Sequence, residues 1–258
     1  MEKKQLIYGR RNVLEYLKKV SGIPGDSPLA EILVKKGSKG NLLKELESSL
    51  PKNVRVKQVS GGYLDKLLPG KNHQGLVCIK KQASSGIQVG DFHEFKEYFQ
   101  INRGPVLILD RIQDAGNFGS LLRSAECLGF KTVIFPEKES SEVTEDVERI
   151  SSGAAFHLKF FRITNLKQGI DYLKENGYWI VASTDRGEES MDKLPPAEEL
   201  ALIIGNEKEG VKRLLLENSD FRLRIPLHGK ISSLNASVAG GILMDRLINR
   251  SISEPIKK

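Results

Sequence analysis

Three short segments of the 258-residue chain carry residue types that could do chemistry. In LDRIQDAGNFGSLLRSAECLGF, residues 109–130, an apolar run ends in a polar, glycine-containing loop, Gln113–Gly116, and Asn117 stands where a helix is expected to begin. Asparagine is a favoured helix N-cap, and free amides at a helix start attract anions. Gly119 allows close approach of a backbone or ligand. Arg123 follows within the helix, with Glu126 three residues on. Alone, this segment is better read as a capped helix with a local ion pair worth roughly 0.2–0.5 kcal/mol.

The second segment, IIGNEKEGV at 203–211, runs from a buried strand straight into Gly205-Asn206-Glu207 and then Gly210. Glycine at a strand end exposes amides and carbonyls to a ligand. The pattern is neither a Walker loop nor the GxGxxG of dinucleotide-binding turns. Glu207 is a candidate functional carboxylate, or a solvated residue near a helix start where negative charge is favoured. The third segment is RIPLHGKISSLNASVAGGILMDRL, 224–247. Here Ser232, Ser233 and Asn235 place hydroxyl and amide groups where a helix begins; capping alone would explain them. Gly240 and Gly241 inside that helix cost about 1 kcal/mol each relative to alanine. Close packing against another helix or a second subunit is the expected compensation.

These loops need strands behind them. Apolar runs predict strands at Val106–Asp110, Thr132–Phe135, Trp179–Ser183, Ala201–Ile204 and Phe221–Ile225. Helical spacing predicts helices at Phe118–Leu128, Thr144–Ser152, Leu166–Asn176, Val211–Glu217 and Ala236–Asn249. Alternating strands and helices imply an α/β domain, 104–258, with a mostly parallel sheet that binds ligands beyond the carboxyl ends of its strands. Residues 1–81 read as a smaller α/β domain able to fold alone. Its strands are expected at Glu31–Val34, Val54–Val59 and Leu76–Ile79, and its helices at Asn12–Lys19, Asn41–Leu50 and Gly62–Leu68. Residues 82–103 would join the two, as a linker at Gln82–Gly90 and a helical connector at Asp91–Gln100.

Charge divides along the same line. Residues 1–81 hold 17 Lys and Arg against 7 Asp and Glu, a net +10; residues 82–258 hold 23 against 26, a net −3. All the excess positive charge thus lies in the small domain, which suits a polyanion-binding segment as well as a merely solvated basic surface. Cys78 and Cys127 are far apart and the four histidines are scattered, so neither a disulfide framework nor a metal site is expected. MEKKQLIYGRR has no apolar run and no stretch approaches about 20 apolar residues. A cytoplasmic protein with neither signal peptide nor membrane span is expected.

The order and spacing of the three segments resemble the SpoU/TrmH-type RNA ribose 2′-O-methyltransferases of the SPOUT class. LDRIQDAGNFGSLLRSAE, IIGNEKEGV and IPLHGKISSLNASVAGGIL match its three motifs, and RISSGAAFHLKFF, 149–161, is similar to an intervening SxGA segment. IYGRRNVLEYL and GKNHQGLVCI resemble the family's substrate-binding domain. The pairing looks closest to the bacterial RlmB branch, which methylates a guanosine of 23S ribosomal RNA. Two loop positions depart from the pattern. Ala115 stands where proline often precedes the asparagine by two, and Lys208 stands where glycine is common.

The resemblance implies a C-terminal SPOUT domain whose parallel sheet ends in a deep trefoil knot, and a homodimer with the site completed across its interface. It implies S-adenosylmethionine held largely by backbone at Gly205, Asn206, Ile225, Leu227, Ser233 and Leu234, and no metal. It makes Arg123 the central catalytic residue, surrounded by Asn117, Glu207, Ser233 and Asn235. A guanidinium with a pKa above about 12 is a poor proton acceptor. Arg123 is therefore expected to bind the adjacent phosphate and stabilise the developing alkoxide. Glu207 would orient it, Asn117 would place the ribose and Ser233 would relay the proton. RNA backbone contacts are assigned to Arg10, Arg11, Lys35, Lys36, His73 and Gln74. The competing readings are a tRNA ribose methyltransferase, a non-catalytic RNA-binding scaffold, and a nucleotide- or NAD-binding enzyme. The last needs a phosphate loop that GNFGS does not supply.

Overall fold

The computed structural model describes residues 6–21, 29–38, 42, 45–46, 49–50, 54–80, 87–187, 194–231 and 233–249. They form two compact units, one of residues 1–87 with 143–157, the other of 88–142 with 158–258.

The first unit is built on a four-stranded mixed sheet. Its strands are β1 (Leu6–Tyr8), β2 (Leu29–Lys35), β3 (Arg55–Val59) and β4 (Leu76–Lys80), in the order β1-β4-β2-β3. β4 runs antiparallel to both β1 and β2, while β3 pairs parallel with β2. The helix α1 (Arg10–Ser21) buries Val13, Leu14, Leu17 and Val20 in a core with Ile7, Ile32 and Cys78. The short helix α2 (Gly61–Leu67), capped by the Ser60 side chain, seals the other face through Leu64. The helix expected at Asn41–Leu50 lies largely outside the described residues, and β1 was too short for periodicity to show.

Residues 143–157 were expected in the second domain, yet they pack within the first unit. They form α5 (Glu145–Ile150) and a 3₁₀ turn at Ala154–His157. Asp146 accepts hydrogen bonds from Tyr8 Oη (3.0 Å) and Lys71 Nζ (2.9 Å). The Phe156 ring lies 4.9 Å from that of Tyr16, and His157 meets Glu15 at 3.0 Å. Apolar and charged partners both draw this segment to the first unit, so residues 1–81 do not complete their own core.

Glu148 in α5 is buried opposite Lys80 at 3.9 Å, and its Oε2 has no hydrogen-bond partner. Burial pushes its carboxyl from 4.5 up to about 7, against the opposing pull of Lys80. Between those values the folded state keeps a proton that the unfolded state releases. Stability from this group is therefore complete below the unfolded value and falls as pH rises towards 7, by up to about tenfold in the folding equilibrium per pH unit. Glu148→Gln should remove this dependence, so urea melts should show the variant gaining on the wild type from pH 5 to pH 8. A pH-independent difference would exclude Glu148 as the proton's site.

The second unit holds seven strands, all parallel: β5 (Val89–Gly90), β6 (Val106–Asp110), β7 (Thr132–Pro136), β8 (Lys159–Ile163), β9 (Trp179–Ser183), β10 (Leu200–Gly205) and β11 (Phe221–Leu223). Their order is β11-β9-β10-β6-β7-β8-β5. β6 and β10 are buried along their whole length, as central strands covered on both faces are. The helices are α3 (Phe92–Ile101), α4 (Ala115–Cys127), α6 (Leu166–Glu175), α7 (Arg213–Glu217) and α8 (Ala236–Asn249).

The expected connector belongs to this unit, as do residues 88–90 of the expected linker, whose residues 82–86 lie outside the described residues. Val89–Gly90 adds an edge strand beside β8, and Asp91 starts α3 with a capping box closed by Glu94. Phe95 and Phe99 of α3 then enter the core with Phe161 and Tyr178. The order of strands reverses between β6 and β10, where an open parallel sheet leaves a crevice beyond its carboxyl ends. After β11, at the sheet edge, the chain passes to α8, which packs on α4 and β10. Gly187 lies hard against residues 222–224 of this path, where an added Cβ would come within 2.6 Å of the Arg222 carbonyl. A Cβ at Gly240 would collide with Leu121 of α4, so this glycine is accounted for by packing between helices of one chain, whereas a Cβ at Gly241 would make only an ordinary contact with Ser124.

Candidate active site

The site grows from two neighbouring strand ends. β6 and β10 pair in a register that sets Asp110 beside Gly205, so the loops that follow them leave the sheet side by side. Asp110 Oδ2 accepts a hydrogen bond from the Lys212 amide at 2.7 Å, tying the second loop back to the first strand. The loop from Asn206 to Gly210 closes on itself through Asn206 N to Gly210 O (3.1 Å) and the reciprocal bond (2.9 Å). Gly205 must lack a side chain, since a Cβ would collide with the backbone of Gly210 and Val211.

Helix α4 begins earlier than the sequence suggests. Asp114 is its N-cap, accepting the Asn117 amide at 2.7 Å, so Asn117 lies inside the first turn. Its side chain is thereby free for longer-range bonds. Asn117 Nδ2 donates to Glu207 Oε1 at 2.9 Å, and Asn117 Oδ1 accepts from Asn235 Nδ2 at 2.8 Å. One amide thus joins all three motif segments. Asn235 also serves α8, its Oδ1 accepting the Ser237 amide at 2.9 Å, so the capping and bridging roles coexist in one side chain.

Beside this chain lies a cavity lined by Ile204, Leu223, Ile225, Leu227, Leu234 and Leu243. Thr184, Asp185, Glu207 and Ser233 add polar groups to its lining. All six residues expected at the cofactor, namely Gly205, Asn206, Ile225, Leu227, Ser233 and Leu234, line it. Ser232 lies outside the described residues. Asn206 lines the cavity while its side chain fixes the loop, Nδ2 donating to the Arg111 carbonyl at 2.9 Å and Oδ1 accepting from the Lys208 amide at 2.9 Å. Arg123 is exposed on α4, six residues beyond Asn117. That separation is about 9 Å along the helix and roughly 120° around it from Asn117.

The six residues assigned to RNA do not share one role. Arg10, Arg11, Lys35 and Lys36 are exposed at the end of the first unit's sheet where β1 and β2 finish. His73 is instead a loop fastener, buried, with Nε2 3.0 Å from Asp65 Oδ1 and Nδ1 accepting the Gly75 amide at 3.0 Å. Both ring nitrogens are thus engaged inside the domain, which sets His73 apart from the four exposed basic residues. Gln74 is exposed, but its Oε1 accepts the Arg10 amide at 2.9 Å and so secures the start of α1.

Two features lay outside the expected set. Thr184 and Asp185 reach the cavity because they follow β9; their place after a predicted parallel strand was the available signal. Arg111 follows β6 within the first motif, with its guanidinium buried between Asp110 and Glu209. A second, polar hollow is lined by Arg111, Gln113, Asp114, Glu139, Glu207 and Lys208. Among the described residues no group of three or more His, Cys, Asp or Glu could hold a metal ion, and no helix is long and apolar enough to cross a membrane.

Comparison with known proteins gives this geometry a context. Residues 104–245 match the model of the SpoU rRNA Methylase family, and residues 6–85 match a model described as RNA 2′-O ribose methyltransferase substrate binding. A Borreliella burgdorferi protein bearing the name of an uncharacterized tRNA/rRNA methyltransferase is 36% identical over 217 residues, covering 83% of this chain and 94% of that protein. A Staphylococcus aureus (strain COL) protein named for the TrmH family of tRNA/rRNA methyltransferases is 34% identical over 242 residues, covering 93% of each. Among solved structures, the fold is similar to the SpoU methyltransferase AviRb of Streptomyces viridochromogenes in complex with AdoMet. The TM-score is 0.73 at 20% identity, over 97% of this chain and 92% of that one. A crystal structure titled RNA 2′-O ribose methyltransferase superposes with TM-score 0.74 at 23% identity, over 96% and 89% of the two chains.

Proposed function

The chain belongs to the SpoU rRNA methylase family, and from this premise we propose that it transfers a methyl group from S-adenosylmethionine to a ribose 2′-oxygen of RNA, with a guanosine of 23S ribosomal RNA as its target. The observation that carries the reading is the Asn117 amide, bonded at once to Glu207 and Asn235 beside the cavity. A scaffold protein needs no such convergence of three distant loops.

The cavity suits the cofactor's chemistry. Gly205 and Gly210 offer backbone in place of side chains, and apolar Ile204, Leu223, Ile225 and Leu243 suit an adenine ring. Thr184, Asp185 and Ser233 supply hydroxyl and carboxylate groups for the polar parts of such a molecule. When bound, S-adenosylmethionine supplies an electrophilic methyl carbon on a sulfonium. The chain must then hold a ribose hydroxyl in line with that carbon and remove its proton as the oxygen attacks. Asn117 places the ribose, being itself fixed from two sides. Ser233, exposed at the cavity, relays the hydroxyl proton towards solvent. Arg123 holds the neighbouring phosphate and stabilises the charge that develops on oxygen.

The first unit captures RNA through Arg10, Arg11, Lys35 and Lys36, which leaves binding strongly salt-dependent. A homodimer is proposed as well, with Arg123 completing a site across the interface. What supports it is the exposure of Ile231, Leu234 and Val238 within the third motif. A knotted C-terminal part belongs to the same reading, supported by the close passage of Gly187 against residues 222–224. The working compartment on this reading is the cytoplasm.

Incubation with methyl-labelled cofactor and unmodified total RNA, followed by mapping of the 2′-O-methyl site, tests the proposal. Label on a 23S guanosine is expected. Label confined to tRNA selects the tRNA enzyme, and no transfer together with no cofactor binding selects the scaffold. In the same assay Arg123→Lys should lose about 10²-fold in rate while still binding cofactor, because lysine keeps the charge and loses the planar fork. A wild-type rate would end the bidentate role.

A further inference from the structure

We propose that Arg111 is a positioning residue for methyl transfer, a clamp that holds the Asn206–Gly210 loop at the end of β6 and so sets Glu207 and the cofactor cavity in place. The proposal rests on the functional reading above and assigns a role to a residue that does not line the cofactor cavity.

The geometry is that of a buried cross-brace. Arg111 is a non-glycine residue at φ +60°, a left-handed conformation that side-chain-bearing residues hold only when their surroundings enforce it. That turn folds the side chain back over the end of its own strand. Its Nε lies 3.2 Å from Asp110 Oδ1, its Nη2 donates to the Gly210 carbonyl at 3.2 Å, and its Nη1 meets the Glu209 carboxylate. The Arg111 carbonyl in turn accepts from Asn206 Nδ2 at 2.9 Å. The loop is therefore gripped at its first residue, at its last and at Glu209, all from the one residue that follows the neighbouring strand. Only a planar, five-donor group can reach two carboxylates and a carbonyl together. Burial works against the charge on Arg111, but Asp110 and Glu209 outweigh it and hold the guanidinium above its ordinary range.

Glu207 stands between the gripped residues, and its carboxylate receives the Asn117 amide. Gly205, Asn206, Glu207 and Gly210 all line the cofactor cavity. A slack loop would thus misplace the catalytic carboxylate and open the cavity wall together, while the basic surface of the first unit would be untouched.

The test compares Arg111→Met, Glu209→Gln and their double variant with the wild type in the full-length protein. A displacement of about 1 Å in a reacting group can cost 10²-fold, so Arg111→Met is expected to lower kcat by about 100-fold with KM for RNA unchanged. Glu209→Gln, at an exposed position that leaves the Asp110 pairing intact, should lower kcat in the same direction and by less. The double variant should be no slower than Arg111→Met alone, because both substitutions cut the same brace. Hydrogen exchange gives the readout independent of activity. The amides of Asn206, Lys208, Glu209 and Gly210 should exchange faster in Arg111→Met, and those of β6 and β10 at the wild-type rate. If the wild type methylates RNA and both single variants match it in kcat and in exchange of residues 206–210, the clamp is wrong. If the wild type transfers no methyl group, the functional reading fails, and the exchange data still judge the clamp.

Discussion

Gly205→Ala is expected to weaken S-adenosylmethionine binding by about 100-fold, equivalent to roughly 3 kcal/mol, and to lower the melting temperature. The added Cβ would collide with the backbone of Gly210 and Val211, and backbone cannot swing aside as a side-chain tip can. Relief requires the loop to lift away from β10, and that loop forms a wall of the cavity. Gly210→Ala is the informative companion. Gly210 has φ +69° and nothing within 4 Å of an added Cβ, so its penalty is left-handed backbone strain of about 1–2 kcal/mol without collision. Titration calorimetry should rank the wild type tightest, Gly210→Ala next and Gly205→Ala weakest. The reverse order for the two variants would show that crowding at Gly205 does not control the cavity.

Asn117→Asp is expected to reduce methyl transfer by about 10²–10³-fold with little change in cofactor affinity. The substitution is nearly isosteric, but it replaces the amide that donates to Glu207 with a carboxylate facing a carboxylate. The bond from Asn235 can persist, since Asp still accepts. Repulsion would push Glu207 away and leave the ribose without its placing group. Asn117 is not among the residues lining the cavity, so binding and rate should separate. Single-turnover methylation alongside calorimetry measures both. An Asp variant that kept the wild-type rate would remove the bridging amide from the mechanism.

The positions of these residues show how far a linear pattern reaches. Runs such as Val106–Asp110 and Leu200–Gly205 declare themselves as buried strands, because consecutive apolar residues have nowhere else to go. The short edge strand Val89–Gly90 has no such pattern and is fixed only by pairing with β8. Asn117 was legible as a polar residue near a helix start. Its position inside the first turn depends on Asp114 taking the cap, a competition between two good capping residues that their types alone do not decide.

Ion pairs over long separations were silent. Arg111 and Glu209 are 98 positions apart, and no local periodicity links them. The same holds for α5, whose helical pattern was visible while its unit was not. Asp146 finds Tyr8 and Lys71 only once the chain has turned back towards the first sheet.

By itself the sequence determined the α/β alternation, the basic character of residues 1–81 and the identity of the polar groups in three loops, because each is a property of neighbouring residues. The tertiary structure alone decided which groups meet. Strand order places β10 against β6, register sets Gly205 beside Asp110, and α8 returns to pack on α4. Those choices are made by hydrogen-bonded pairing and burial summed over whole elements. The contact from Asn117 to Glu207 and Asn235 is their consequence, and no shorter stretch of chain contains it.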